Sequence, residues 1–153
     1  MTLTLAGSLS SLKVSDLMCT DLVEGKIGEP LSEAVTRMLD KSVGSIIVTD
    51  NGKIQGVITK GDVLKKAFLL GLDAREVSCK RVMSTPVFTI TPDSSIEEAA
   101  NLMAKHNISK LPVVEDEKMV GIITSTDIIR AEPMQVNYLQ ELVRARFVPH
   151  ERM

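Results

Sequence analysis

Tryptophan is absent from this 153-residue chain, and three Phe and one Tyr are its whole aromatic complement. Any core must therefore be aliphatic, assembled from Val, Ile, Leu and the eight Met. Cysteine and histidine are equally scarce. Cys19 stands in "LMCTD" and Cys79 in "VSCKR", with no CxxC, and His106 and His150 are the only histidines. That excludes a zinc-ligand spacing, and both thiols read as reduced and structural. Apolar runs such as "SIIV" and "AFLL" reach about four residues, far short of the roughly 20 that span a bilayer. The opening "MTLTLAGSLSS" has no Lys or Arg before it and is broken by Ser and Thr, so it does not read as a secretory signal. A cytoplasmic protein without a membrane segment is expected. There is no excess of cationic charge either: the net charge of −2 argues against nucleic acid as a partner.

What is present is a repeat. "GVITKGDVLKKA" (Gly56 to Ala67) returns as "GIITSTDIIRA" (Gly121 to Ala131), a shift of 121 − 56 = 65 positions. The same shift carries Thr59 to Thr124, Asp62 to Asp127, Met18 to Met83, Thr20 to Thr85, Ala34 to Ala99, Met38 to Met103, Val48 to Val113 and Lys53 to Lys118. Such a register does not arise by chance. Each copy is about 60 residues, marginal for folding alone, so the halves should bury apolar faces against each other.

Within a copy the order reads β-α-β-β-α. "PLSEAVTRMLDKS" places Leu31, Ala34, Val35, Met38 and Leu39 on one stripe of a helix, and Ile96, Ala99, Ala100 and Met103 do the same in the second copy. Ser94 with Glu97 has capping-box spacing. Two β-branched runs around Asn51-Gly52 predict a hairpin, and "KLPVVEDEKMVGIIT" predicts the same hairpin with an acidic turn. Helices follow at Asp62 to Leu70 and Asp127 to Ala131, and short strands precede each copy's first helix at "DLVEG" and "PVFTI". His106 closes a helix beside Asn107, where a cation suits the dipole. Val136, Leu139, Leu142 and Val143 predict a C-terminal amphipathic helix with a basic end.

This order, together with "HNISKLPVVED" (His106 to Asp116), "GIITSTDII" (Gly121 to Ile129) and "KSVGSIIVTDNGKIQGVITKGDVL", resembles the cystathionine-β-synthase (CBS) domain. Two copies in tandem resemble the CBS pair, or Bateman module, over about residues 14 to 131. The divisions are then an N-terminal segment 1–13, repeat 1 at 14–74, repeat 2 at 75–132 and a C-terminal helix or tail at 133–153. The resemblance implies an α/β (α+β) fold whose halves pack sheet to sheet around a pseudo-twofold axis. It also implies two clefts for adenosine-type ligands, no chemistry of its own, and homodimerisation through exposed helices.

Thr59 and Thr124 each precede a helix, with Asp three residues on. As bare physics this is a capping device. The same geometry suits a ligand: free N–H groups at a helix start seat a phosphate, and an acidic side chain accepts the hydroxyls of a ribose. By resemblance, Asp62 and Asp127 are the ribose residues, with Thr59 and Thr124 near the phosphate. The purine slots are implied at Thr20, Asp21 and Leu22 with Val43, Gly44, Ser45 and Ile46, and at Thr85, Pro86 and Val87 with Ile108, Ser109, Lys110 and Leu111. Cross-pairing, also inherited from the family, joins the second set to Thr59, Lys60 and Asp62, and the first to Thr124 and Asp127. Lys60 and Lys110 both fall in the Thr59/Asp62 cleft, which is expected to prefer the more phosphorylated ligand.

The leading expectation is a regulatory module sensing AMP, ADP, ATP or a related adenosyl compound (S-adenosylmethionine, NAD) and signalling to a protein partner. No catalytic cofactor, catalytic residue or metal is expected. The alternative is a dimeric scaffold with the same fold and no ligand. An enzyme is not expected: there is no nucleophile–base constellation and no room for a barrel of about 250 residues.

Overall fold

The computed structural model describes residues 12–131. Of the expected N-terminal segment only residues 12 and 13 fall in this range, and the expected C-terminal helix lies outside the described residues. Within it run α1 (Val14–Leu17), β1 (Glu24–Lys26), α2 (Leu31–Asp40), β2 (Ser45–Asp50) and β3 (Lys53–Thr59). Then come α3 (Lys60–Val63), a π-helical turn (Leu64–Phe68), α4 (Cys79–Val82), α5 (Ile96–His106), β4 (Lys110–Glu115), β5 (Lys118–Thr124) and α6 (Ser125–Ala131). This is a mixed α+β fold in which each repeat contributes strands and helices.

The compact units are not the sequence repeats. One unit comprises residues 21–89 and 114–120; the other comprises, among the described residues, 12–20, 90–113 and 121–131.

In the first unit, β1-β2-β3 form one sheet. β1 runs parallel to β2, with Glu24 opposite Ile47. β2 and β3 are antiparallel, from Ser45 opposite Thr59 to Asp50 opposite Lys53. The turn residues Asn51 and Gly52 have φ of 52° and 82°, the primed geometry that Asn-Gly predicts. Leu31, Ala34 and Met38 of α2 are buried with Ile46, Val48, Ile58, Ala67, Val77, Cys79 and Val82. Leu39, read from spacing as part of the stripe, is exposed. It sits about 100° per residue beyond Met38, at the margin of the apolar face. Burial, opposed by the positive charge of Arg37 and helped by the negative charges of Glu29 and Glu33, pushes the Cys79 thiol up to about 11. Neither cysteine is in a disulfide.

In the second unit, Val14 and Ile96, Ala99 and Met103 of α5 are buried, as are Leu111, Val113, Ile123 and Ile128. The N-cap of α5 is Ser95, whose hydroxyl accepts the Glu98 amide at 3.0 Å, and not Ser94 as the spacing suggested. Ser94 is drawn instead into a turn with Thr91, its hydroxyl 2.8 Å from the Thr91 hydroxyl. The expected strand at "PVFTI" reduces to a single bridge, Ile90 to Val113. Pro86 cannot donate to a ladder, which disfavours a longer pairing. α5 ends at His106, with Asn107 left-handed at φ 55° as its C-cap.

In each unit a short segment from the start of one repeat pairs with the last strand of the other. Ser84 exchanges both backbone hydrogen bonds with Val57, at 2.8 and 3.0 Å, and Cys19 does so with Ile122, at 2.8 and 2.9 Å. The side chain of Met83 therefore crosses Gly56, where a Cβ would meet its Sδ at 2.7 Å; Met18 crosses Gly121 with a corresponding gap of 2.6 Å. These two glycines are required by close approach and not by a turn.

Candidate functional site

The two Thr–Asp pairs have the same local construction. β3 ends at Thr59 with the chain still extended (φ −105°, ψ 167°), and α3 starts at Lys60. The Asp62 amide donates to Thr59 Oγ1 at 3.1 Å, and the Thr59 amide donates to Asp62 Oδ2 at 2.9 Å. In the other unit the Asp127 amide donates to Thr124 Oγ1 at 3.2 Å and the Thr124 amide to Asp127 Oδ2 at 2.9 Å. The box works with Asp in place of Glu because the shorter acid reaches the N-cap amide three residues back.

At Asp62 the network extends beyond the cap. Its side chain carries two further partners on Oδ1: the Ser84 hydroxyl donates at 2.7 Å, and the Lys66 ammonium stands at 3.2 Å. Lys66 Nζ also donates to Ser84 Oγ at 2.8 Å and to the Met83 carbonyl at 3.4 Å. The Thr59 hydroxyl adds a bond to Oδ2 at 3.1 Å. Burial alone would raise the Asp62 pKa. The bonds from the Thr59 amide, Ser84, Lys66 and the Thr59 hydroxyl together outweigh it and hold the carboxyl below its ordinary value. Asp62 is thus a buried, ionised carboxylate, 8% exposed. Lys66 reaches it from the π-helical turn, which replaces the plain helix expected from Asp62 to Leu70.

The remaining sequence candidates divide between the units. Thr59, Lys60, Asp62, Thr85, Pro86 and Val87 share the 21–89 unit with Asp21, Leu22, Val43, Gly44, Ser45 and Ile46. There the Lys60 amide donates to the Gly44 carbonyl at 3.2 Å, and Ser45 pairs with Thr59. Thr124 and Asp127 share the other unit with Thr20, Ile108, Ser109, Lys110 and Leu111. There the Ser125 amide donates to the Ser109 carbonyl at 2.9 Å. Burial lowers the pKa of Lys110, whereas the Lys60 side chain is exposed. Pro86 and Val87 line an open cleft of about 460 Å³ with Lys53, Ile54, Gln55, Thr89, Val114 and Glu117, and none of Thr59, Lys60 and Asp62 lines it. Among the described residues no group of three His, Cys, Asp or Glu is placed to hold a metal. Nor is any described helix long and apolar enough to cross a membrane.

Sequence reasoning missed Ser84 and Lys66. The signal for Ser84 was its place between Met83 and Thr85, two positions already matched by the 65-residue shift.

The CBS-domain profile matches residues 14–68 and 79–133, and the chain belongs to that family as a tandem CBS pair. Such pairs are generally regulatory, ligand-binding modules. The chain is 33% identical over 135 residues to an uncharacterized protein of Methanopyrus kandleri, covering 87% of this chain and 69% of that protein. It is 32% identical over 115 residues to the CBS domain-containing protein YhcV of Bacillus subtilis, covering 75% and 81%. In structure it is similar to Hypoxic Response Protein I, solved with two coordinated zinc ions. That match has a TM-score of 0.73 at 25% identity, over 80% of this chain and all of the other.

Proposed function

We propose that this CBS pair is a regulatory sensor of adenine nucleotides or related adenosyl compounds, with AMP, ADP or ATP the first choice and S-adenosylmethionine or NAD the wider class. It works in the cytoplasm as a homodimer and passes the ligand state to a protein partner. It carries out no reaction and uses no catalytic cofactor.

The observation that carries this reading is the paired construction of Thr59–Asp62 and Thr124–Asp127. In each, a backbone amide fixes one carboxylate oxygen at 2.9 Å, so the acid is pre-set before a ligand arrives. A pre-set carboxylate accepts both hydroxyls of a ribose without losing further rotamer freedom. Thr59 with exposed Lys60, and Thr124 with Ser125, supply donors for a phosphate next to it. Thr85, Pro86 and Val87 in one unit and Thr20 in the other provide the base-side contacts. Leu64, Phe68, Leu69 and Leu70 form an exposed apolar run that a second copy would cover.

A thermal-shift screen of AMP, ADP, ATP, S-adenosylmethionine and NAD tests the reading. At least one should raise the melting temperature, since a ligand that binds the folded state stabilises it by mass action. Asp62→Ala and Asp127→Ala should each weaken binding in calorimetry. No shift with any of the five would replace the sensor by a ligand-free scaffold.

A further inference from the structure

The four donors on Asp62 exhaust what a carboxylate can accept. An ionised carboxyl offers about four lone-pair sites on its two oxygens. Oδ2 holds the Thr59 amide and the Thr59 hydroxyl; Oδ1 holds the Ser84 hydroxyl and the Lys66 ammonium. A ribose diol presents two hydroxyl donors and needs two of those sites. The Thr59 amide belongs to the helix start and cannot leave without opening the cap. The Thr59 hydroxyl can turn its one proton to a phosphate while still accepting the Asp62 amide, which frees one site and leaves the diol in need of one held by Ser84 or Lys66. Ser84 and Lys66 are side-chain donors, and Lys66 is also bound to Ser84 at 2.8 Å, so they leave or stay as a pair.

The repeat provides an internal comparison. The 65-residue shift places Cys19 at the position of Ser84 (84 − 65 = 19) and Ala131 at that of Lys66 (66 + 65 = 131). A thiol is a weak donor and an alanine methyl is none. Asp127 therefore faces no ammonium from the position that supplies one to Asp62.

We propose that Ser84 and Lys66 compete internally with ribose for Asp62, so that the Asp127 seat fills first and the Asp62 seat answers at higher ligand concentration. The inference rests on the reading of both aspartates as ribose acceptors. Its consequence is a module with two thresholds, set by Lys66 of repeat 1 and Ser84 of repeat 2, whose counterparts 65 positions away are Ala131 and Cys19. Ser84 and Lys66 govern when the Asp62 seat opens.

Calorimetric titration of the full chain with AMP decides it. Ser84→Ala is the main variant because it leaves every charge in place; Ser84→Ala with Lys66→Met is the second. Thermal unfolding confirms that each is folded. In wild type the tighter binding event should be lost in Asp127→Ala. Ser84→Ala should tighten the weaker event at least about threefold, and the double variant about tenfold, as expected for removing donors from a charged acceptor. Adding Asp62→Ala should abolish the gain. If Asp127→Ala weakens AMP binding while folded Ser84→Ala and the double variant bind no tighter, the competition is wrong and the ribose reading stands. A gain that persists without Asp62 also overturns the competition. If neither aspartate variant changes AMP binding, both fall together.

Discussion

Replacing Gly56 by Ala tests the seating of Met83 across β3, on which the position of Ser84 depends. The new Cβ would lie 2.7 Å from Met83 Sδ, 2.8 Å from its Cγ and 3.0 Å from its Cβ. All three fall inside contact distance, so the whole side chain must shift and not merely its tip. Overpacking of this kind costs about 1–3 kcal/mol. Loss of glycine freedom in the unfolded chain offsets about 0.4–1 kcal/mol of that. A net destabilisation of about 1–2 kcal/mol remains, a fall of roughly 2–8 °C in melting temperature for a chain of this size. Met83→Ala removes Sδ and Cγ, the two nearest atoms, and keeps only the Cβ at 3.0 Å, so the double variant should recover much of the loss caused by Gly56→Ala. Urea unfolding of the wild type, both single variants and the double gives the coupling energy directly. A neutral or stabilising Gly56→Ala, or four stabilities that simply add, would refute the packing of Met83 on Gly56.

Two further outcomes are expected. The Asp62 carboxyl titrates below its value of about 3.9 in an unfolded chain. Its stabilising bonds are therefore complete above that pH and are lost as pH falls through the lower folded value. The stability difference between wild type and Asp62→Asn, measured by urea unfolding, should be largest near neutrality and shrink below about pH 4; a constant difference would count against the bonds seen at Asp62. At the acidic hairpin, Asp116 and Glu117 sit at φ of 52° and 67°, a conformation that Asn-Gly adopts without strain. Replacing them by Asn and Gly should stabilise by about 1 kcal/mol in thermal unfolding, because the exposed Lys53–Glu117 pair given up, at 3.6 Å, contributes little.

The features legible in the sequence were those that repeat or alternate. The 65-residue register, the stripes of α2 and α5, the Asn51-Gly52 hairpin and the Thr–Asp boxes follow from local rules that act within a few residues. What stayed hidden depends on distant partners. Ser94 and Ser95 have equal capping chemistry, and the choice between them is made by the turn at Thr91. The apolar "AFLL" suggests burial, yet Phe68, Leu69 and Leu70 are exposed after a π-helical turn that no spacing announces. Ser84 and Lys66 are common surface residue types. Their meaning appears only when the chain folds so that Ser84, 22 positions on, and Lys66, four positions on, both meet the Asp62 carboxylate.

The handover at Met83 and Met18 has a practical consequence for dividing the gene. A fragment that stops at residue 78, the natural cut between the two profile matches, would carry Gly56 and Asp62 without the chain that covers one and bonds the other. Its complement would keep Gly121 but lack Met18 and Cys19. Neither piece contains a finished folding unit, whereas the two expressed together hold every missing part. Split at that point, the protein becomes a reconstitution system in which each half is the template for the other.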